Sequence, residues 1–280
     1  PYDGNTNATV NASTATITGK VDGDDLTVSV ATGSIFDNAD AGSRTVTLGT
    51  LTLGGTSAAN YTLAASGNQT TATARITARD LTVTPNSGQS KSYGTTPDPV
   101  LAYTSTGTVT GEIAAFDGAL SRETGEDVGT YNITKGSLAL KDSGTFKASN
   151  YKLVLDTTAV TFEITKGTYS GSTPTKTVNV LKNYAGAQTG TLTAADFFTT
   201  APAEAKITAV TPVPTTGSML NTVSVDGHNS LTYTSNTGIT ATADETYSVT
   251  ITTKNYNDIT ATLTFSPVDK TNAGVTISSV

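Results

Sequence analysis

The sequence predicts a mainly β protein, an elongated tandem array of three small β domains of β-grasp-like or Ig-like sandwich type. Three observations carry that prediction. Only 14% of the 280 residues are charged, so the polar surface is made of Thr, Ser, Asn and Gly. Short stretches alternate apolar and polar side chains. A set of landmarks recurs in the same order along the chain.

The first observation favours strands because a β-branched side chain such as Thr suits a pleated, half-solvated sheet face better than a helix. Hydrophobic residues make up 36% and aromatics 6%, which supports several small cores better than one large one. A net charge of -7 argues against nucleic-acid partners, which require a basic surface to neutralise phosphates. No apolar run approaches the ~20 residues that span a bilayer, so no membrane insertion is expected. With 0 Cys there is no disulfide framework and no thiolate site. Low charge, abundant Thr and no Cys together point to an extracellular location, secreted or attached to a bacterial surface.

The second observation places strands. Period-2 alternation marks Leu26–Val30, Thr45–Leu48, Ala74–Thr77, Leu81–Thr84, Tyr151–Leu155, Thr161–Thr165, Thr177–Val180, Ser248–Ile251 and Thr262–Phe265. Clusters of Gly, Asn, Asp and Ser punctuate them. Two short helical pieces are expected, Glu112–Phe116 and Ala194–Phe198, the second with Thr193 placed to cap it.

The third observation is the repeat. A tyrosine–glycine turn occurs as Tyr2-Asp3-Gly4, Tyr93-Gly94 and Tyr184-Ala185-Gly186, equally spaced. Asp40-Ala41-Gly42-Ser43 is echoed by Asp127-Val128-Gly129-Thr130 and more loosely by Asp244-Glu245-Thr246. An Asn-Tyr pair, with an apolar residue two beyond the Tyr in the first two copies, occurs as Asn60-Tyr61, Asn150-Tyr151 and, more weakly, Asn255-Tyr256, each followed by an alternating strand. The boundaries that follow are 1–78 for a first module lacking its opening strand, 79–166 for a second, 167–270 for a diverged third, and 271–280 for the opening strand of a following one. The joints near Ala78-Arg79-Asp80 and Thr165-Lys166-Gly167 carry no long linker, which predicts a semi-rigid rod. A first module short of a strand and an alternating segment at Gly274–Ser278 together predict strand exchange between copies.

Candidate chemistry is sparse. His228, the single histidine, lies in the turn-like run Asp226-Gly227-His228-Asn229, with no nucleophile elbow or oxyanion element in reach. Asp22-Gly23-Asp24-Asp25 could offer oxygens to calcium, yet it lacks the spaced ligands of a calcium loop and is better taken as a turn, as are Asp37 and Asp40. Glu123, Glu126 and Asp127 flank glycines and are expected in solvated turns, not as a glycosidase pair. Tyr61, Tyr93 and Tyr151 are expected at core or corner positions. No catalytic, cofactor-binding or metal site is assigned, and no cofactor is expected. A Lys–Asn or Lys–Asp crosslink would need a buried Lys beside an amide and an acid.

At these landmarks the sequence resembles the YDG and MBG modules of bacterial surface adhesins. Tyr2-Asp3-Gly4 resembles the first type. Lys91-Ser92-Tyr93-Gly94, Leu120-Ser121-Arg122-Glu123, Gly125 to Tyr131 and Asn150-Tyr151-Lys152-Leu153 resemble the second. The resemblance spans residues 1 to 166 and implies small β modules in large surface proteins, with no catalytic residues. The function so implied is a non-catalytic stalk or adhesin segment that contacts a host or neighbouring-cell glycan or protein. Direct glycan or protein binding, or an accessory part of a secreted glycan-degrading enzyme, are the alternatives.

Overall fold

The computed structural model describes residues 1–156 and 160–270, so the alternating segment Gly274–Ser278 lies outside the described residues. Every expected strand within them forms, and six of the nine run two to six residues longer than their alternation indicates. The chain divides into two compact units. One comprises Pro1–Ser87, Val100–Glu123 and Asn132–Val160; the other comprises Gly88–Pro99, Thr124–Tyr131 and the chain from Thr161 onward.

In the first unit, Gly42–Thr47 pairs antiparallel with both Ile35–Phe36 and Thr71–Ile76, and Thr27–Val30 pairs with Leu51–Gly54. Two residues after Ile76 the chain enters Arg79–Pro85, the centre of a three-stranded sheet. This strand runs parallel to Tyr151–Leu155 on one side and antiparallel to Tyr103–Thr106 on the other. Its alternation explains that place: Leu81 and Val83 are fully buried on one face, while Asp80, Thr82 and Thr84 point to the other. Phe116–Asp117 pairs with Ala139–Leu140, and Ser121 and Arg122 face Thr134 and Ile133.

The second unit begins with a parallel pair, Ser90–Ser92 beside Thr161–Thr165, in which Lys91 faces Ile164. Beyond it lie two sheets. One holds Thr175–Leu181, Ile259–Val268, Glu245–Thr252 and Lys206–Thr211 in that order; the other holds Thr189–Leu192, Leu231–Ser235 and Leu220–Val225. Phe265, Leu263, Ala261, Ile251, Val249 and Ile207 from the first sheet and Leu231, Leu220 and Val223 from the second form one shared core. That is sandwich packing, produced by strands that alternate inward apolar and outward Thr or Ser.

The helical expectations divide. Ala194–Phe197 is a 3-10 turn with a full capping box, in which the Thr193 backbone N–H and hydroxyl both donate to the Asp196 carboxylate. Glu112–Phe116 is not helical. Gly111 has φ +90, the chain turns from Val109 to Glu112, and Phe116 enters a strand. Ile113 is 84% exposed, so a helix there would have had no apolar face to bury.

Candidate functional site

The recurring landmarks are two halves of one repeated joint. In the first unit, the Asn150 side chain lies against the Asp40-Ala41-Gly42 loop. Its Nδ2 donates to Asp40 Oδ1 at 2.9 Å, and its Oδ1 accepts the Ala41 backbone N–H at 2.8 Å. Lys147 Nζ donates to the second Asp40 oxygen at 2.5 Å. In the second unit, Asn255 Nδ2 donates to Asp127 Oδ1 at 2.8 Å, and its Oδ1 accepts the Val128 N–H at 2.9 Å. Lys254 Nζ reaches Asp127 Oδ2 at 2.9 Å.

The residue types follow from the geometry. A planar amide is the short group that can donate to a carboxylate and accept from the next backbone N–H at once, which a carboxylate in its place could not do. The loop is held open to it from behind: Arg44 Nε donates to the Asp40 carbonyl and the Tyr131 hydroxyl donates to the Asp127 carbonyl, each at 2.7 Å and each from four residues on. Gly42 at φ +136 takes a backbone conformation open to glycine, so the loop can bend between the acid and the following strand. Both asparagines are buried, Asn150 to 1% and Asn255 to 5% exposure, so their hydrogen bonds cannot be replaced freely by water.

Electrostatics matches. The Asn150 amide, then the Lys147 ammonium, holds the Asp40 carboxyl below its usual range. Lys254 first and Asn255 second do the same for Asp127, and Asp127 in return raises Lys254.

Tyrosines complete each joint. The Tyr2 N–H donates to the Thr77 carbonyl and the Tyr93 N–H to the Thr165 carbonyl, both at 2.8 Å. Tyr2 then meets Tyr151 edge to face at 5.5 Å, and Tyr93 meets Tyr256 at 5.1 Å. The hydroxyls of Tyr2 and Tyr151 both donate to Glu112, at 2.5 and 2.8 Å. Burial, with Glu112 second, pushes the Tyr2 phenol up to about 12. Tyr151 is buried, whereas Tyr61 and Tyr93 are half-buried.

The remaining candidates are dispersed. His228 is exposed in a turn closed by Asp226, which accepts the N–H groups of His228 and Ser230. Asp25 accepts from the Thr56 N–H and hydroxyl, and Asp24 accepts from the Tyr61 hydroxyl. No group of three or more metal-ligating residues occurs among the described residues. Asp37 is exposed, and Glu123 accepts from the Asn132 backbone and amide. Glu126 and Asp127 are in turns as expected, but both are engaged: Glu126 with Lys91, Asp127 with the joint. Asp244 takes no part in a joint and instead accepts from Ser266.

Lys91 is the buried lysine among the described residues, its Nζ 2.5 Å from both Asp98 and Glu126. It has the acids that a crosslink would need. The Asp98 bond, then the Glu126 bond, raises its pKa and keeps it an ammonium, the form that cannot attack a carboxyl.

Comparison with known proteins agrees with the landmarks. No curated protein matches the chain. Among solved structures, an endo-fucoidan hydrolase of glycoside hydrolase family 107 is 11% identical over 88% of this chain and 39% of its own, at a TM-score of 0.24. The human desmocollin-1 ectodomain is 8% identical over 88% of this chain and 47% of its own, at 0.27. The chain thus spans less than half the length of either, and likenesses this faint carry no argument. The family models are specific: one for the YDG domain matches residues 1–72, and one for the MBG domain of the YGX type matches residues 81–163. With the first Asp-x-Gly loop in one span and its Asn-Tyr partner in the other, the chain carries a YDG domain at residues 1–72 followed by an MBG domain at residues 81–163.

Proposed function

We propose that this chain is a non-catalytic, extracellular stalk or adhesin segment of a large bacterial surface protein, which holds a binding region away from the cell. One observation carries the reading: the same Asp-x-Gly to Asn-Tyr joint occurs twice, between successive repeats. Such a joint fixes one repeat against the next, the property a load-bearing spacer needs and a lone binding module does not. The direct strand-to-strand passage from Thr71–Ile76 into Arg79–Pro85 supports it, because two residues leave little hinge. The acids in the joints serve structure, with Asp40, Asp127 and Glu112 each accepting from donors of the same joint.

Pulling single molecules of the whole chain between its termini tests this. The stalk reading expects unfolding forces that drop when Asp40 and Asp127 are both replaced by Ala, together with no saturable ligand on glycan and host-protein arrays. Unchanged forces combined with a discrete ligand on the arrays would replace it with the direct-binding reading.

A further inference from the structure

Four aspartates stand directly before a glycine: Asp3, Asp22, Asp117 and Asp226. A glycine has no side chain to shield its backbone nitrogen, so each pair is a place where a carboxyl can meet the next peptide group. The structure separates the four. The Asp3 carboxylate accepts the Asn5 N–H at 3.1 Å, and Asp226 accepts the N–H groups of His228 and Ser230 at 2.8 and 2.9 Å, so both reach past the adjacent nitrogen. Asp22 is exposed in a turn, with no hydrogen bond to its carboxylate among the described residues. Only Asp117 sets its carboxylate against its own neighbour, the Gly118 N–H donating to Oδ1 at 3.0 Å.

The backbone on both sides of that contact is fixed. Asp117 ends the two-residue strand Phe116–Asp117 and faces Ala139, while the Ala119 N–H donates to the Ser137 hydroxyl at 3.1 Å. Gly118 has φ +73, and a Cβ there would run into the Ser137 carbonyl oxygen. The fold thus requires at 118 the residue that leaves a peptide nitrogen open to attack, and holds a carboxyl beside it.

We propose that Asp117 is a site of spontaneous covalent modification, converting to isoaspartate through a cyclic imide with Gly118. The Gly118 nitrogen bonds to Asp117 Cγ, one bond from the oxygen it already touches. The carboxyl, in its acid form, loses its hydroxyl, which leaves with the amide proton as water. Water then reopens the imide at either carbonyl. One opening restores aspartate; the other gives isoaspartate, in which the backbone runs through the former side chain. The mass is unchanged and no other reagent is consumed. Holding reacting groups at about 3–3.5 Å is what speeds such an internal attack. The product lengthens the backbone by one methylene at Asp117, which breaks the register of Phe116 with Leu140 and Asp117 with Ala139. Loss of this short ladder therefore accumulates with the age of the protein.

Incubating the whole chain in warm neutral buffer, followed by peptide mapping that separates isoaspartyl peptides of equal mass, tests this. Isoaspartate at 117 should build up about fivefold faster than at Asp3, Asp22 or Asp226. The same incubation in urea should erase that lead to within about twofold, since all four aspartates share the following glycine. Asp117→Glu, at an exposed position, would need a larger ring and should abolish the product there. A lead by any other Asp-Gly pair, or no isoaspartate at 117, overturns the proposal. A lead that survives in urea overturns it too, because local sequence and not the fold then sets the rate.

Discussion

The Asn150 amide and the Asp40 carboxylate, 110 residues apart in sequence, form one hydrogen-bonded ring with the Ala41 N–H, and Asn255 forms the same ring with Asp127 and Val128. The ring explains why the two landmarks recur together. One supplies an acid and a backbone donor, the other the amide that bridges them, and neither is satisfied without its partner.

Removing the amide should therefore be costly. Asn150→Ala leaves the Ala41 N–H without its acceptor and the Asp40 carboxylate with the Lys147 ammonium alone, a loss of about 1–3 kcal/mol by the usual cost of orphaned buried groups. Asn255→Ala should cost a similar amount. Asn150→Asp should be worse near neutral pH, because two carboxylates then meet, and should recover as the medium is acidified. Urea denaturation of the four chains, followed by circular dichroism, measures this.

Acid should loosen both joints. Asp40 and Asp127 have folded pKa values below the ordinary carboxylate value, so the unfolded chain takes up protons first. Their contribution is complete above the unfolded value of about 3.9 and is lost as pH falls through the lower folded values. Stability should be flat through neutral pH and decline below about 4. Asp40→Asn together with Asp127→Asn should make that acid limb shallower without abolishing it, since Asp25, Asp196 and Asp226 are also held below the usual range, read as denaturation midpoint against pH.

Much of the fold was legible because it rests on local pattern. Alternation found the strands, and Thr193 marked a capped turn, whose second partner, Asp196, only the structure shows. The helix expected at Glu112–Phe116 failed because Gly111 and the pull of two tyrosine hydroxyls on Glu112 outweigh helix-forming composition. The joint was half legible: recurrence exposed Asp40, Asp127 and the Asn-Tyr pairs, but nothing local says that an acid in one repeat pairs with an amide in the next. Lys147 and Lys254 were invisible, since one sits three residues before its asparagine and the other one residue before, and both reach the same oxygen only in three dimensions.

The Tyr2 phenol supplies a base-side prediction. Its folded value of about 12 lies above the ordinary value near 10, so the neutral form is favoured by folding. The stability it contributes is complete below about 10 and is lost as pH rises from there toward 12. Ultraviolet titration should show late-ionising tyrosines, Tyr2 and Tyr247 among them, and Tyr2→Phe should remove one of these. Glu112→Gln should lower that value only in part, because burial is the larger cause.

Lys91 should behave as an ion-pair partner. Lys91→Met keeps the buried stem and frees Asp98 and Glu126, which at 39% and 64% exposure regain water readily, so the loss should be about 1 kcal/mol or less. Lys91→Ala also empties the space of the stem and should cost more, about 2 kcal/mol. Intact-mass measurement of the wild-type chain should show no loss of water, in keeping with an ammonium at this position.

Asn60 offers the sharpest comparison with Asn150. Both end a 3-10 turn of three residues, Ala58–Asn60 and Ala148–Asn150, and the tyrosine that follows has nearly the same backbone, φ -129 and ψ 154 against φ -126 and ψ 153. The exit of the turn is thus shared, although its entry differs, Ser57 at φ -91 and ψ 0 against Lys147 at φ -111 and ψ 118; the Asp-x-Gly loop covers Asn150, while Asn60 is exposed. If burial against that loop is what gives the asparagine its energetic weight, Asn60→Ala should change stability by no more than ~0.5 kcal/mol, as for an ordinary surface substitution. An equal loss at both positions in urea denaturation would mean that the asparagine stabilises its own turn, and that the ring with Asp40 adds little.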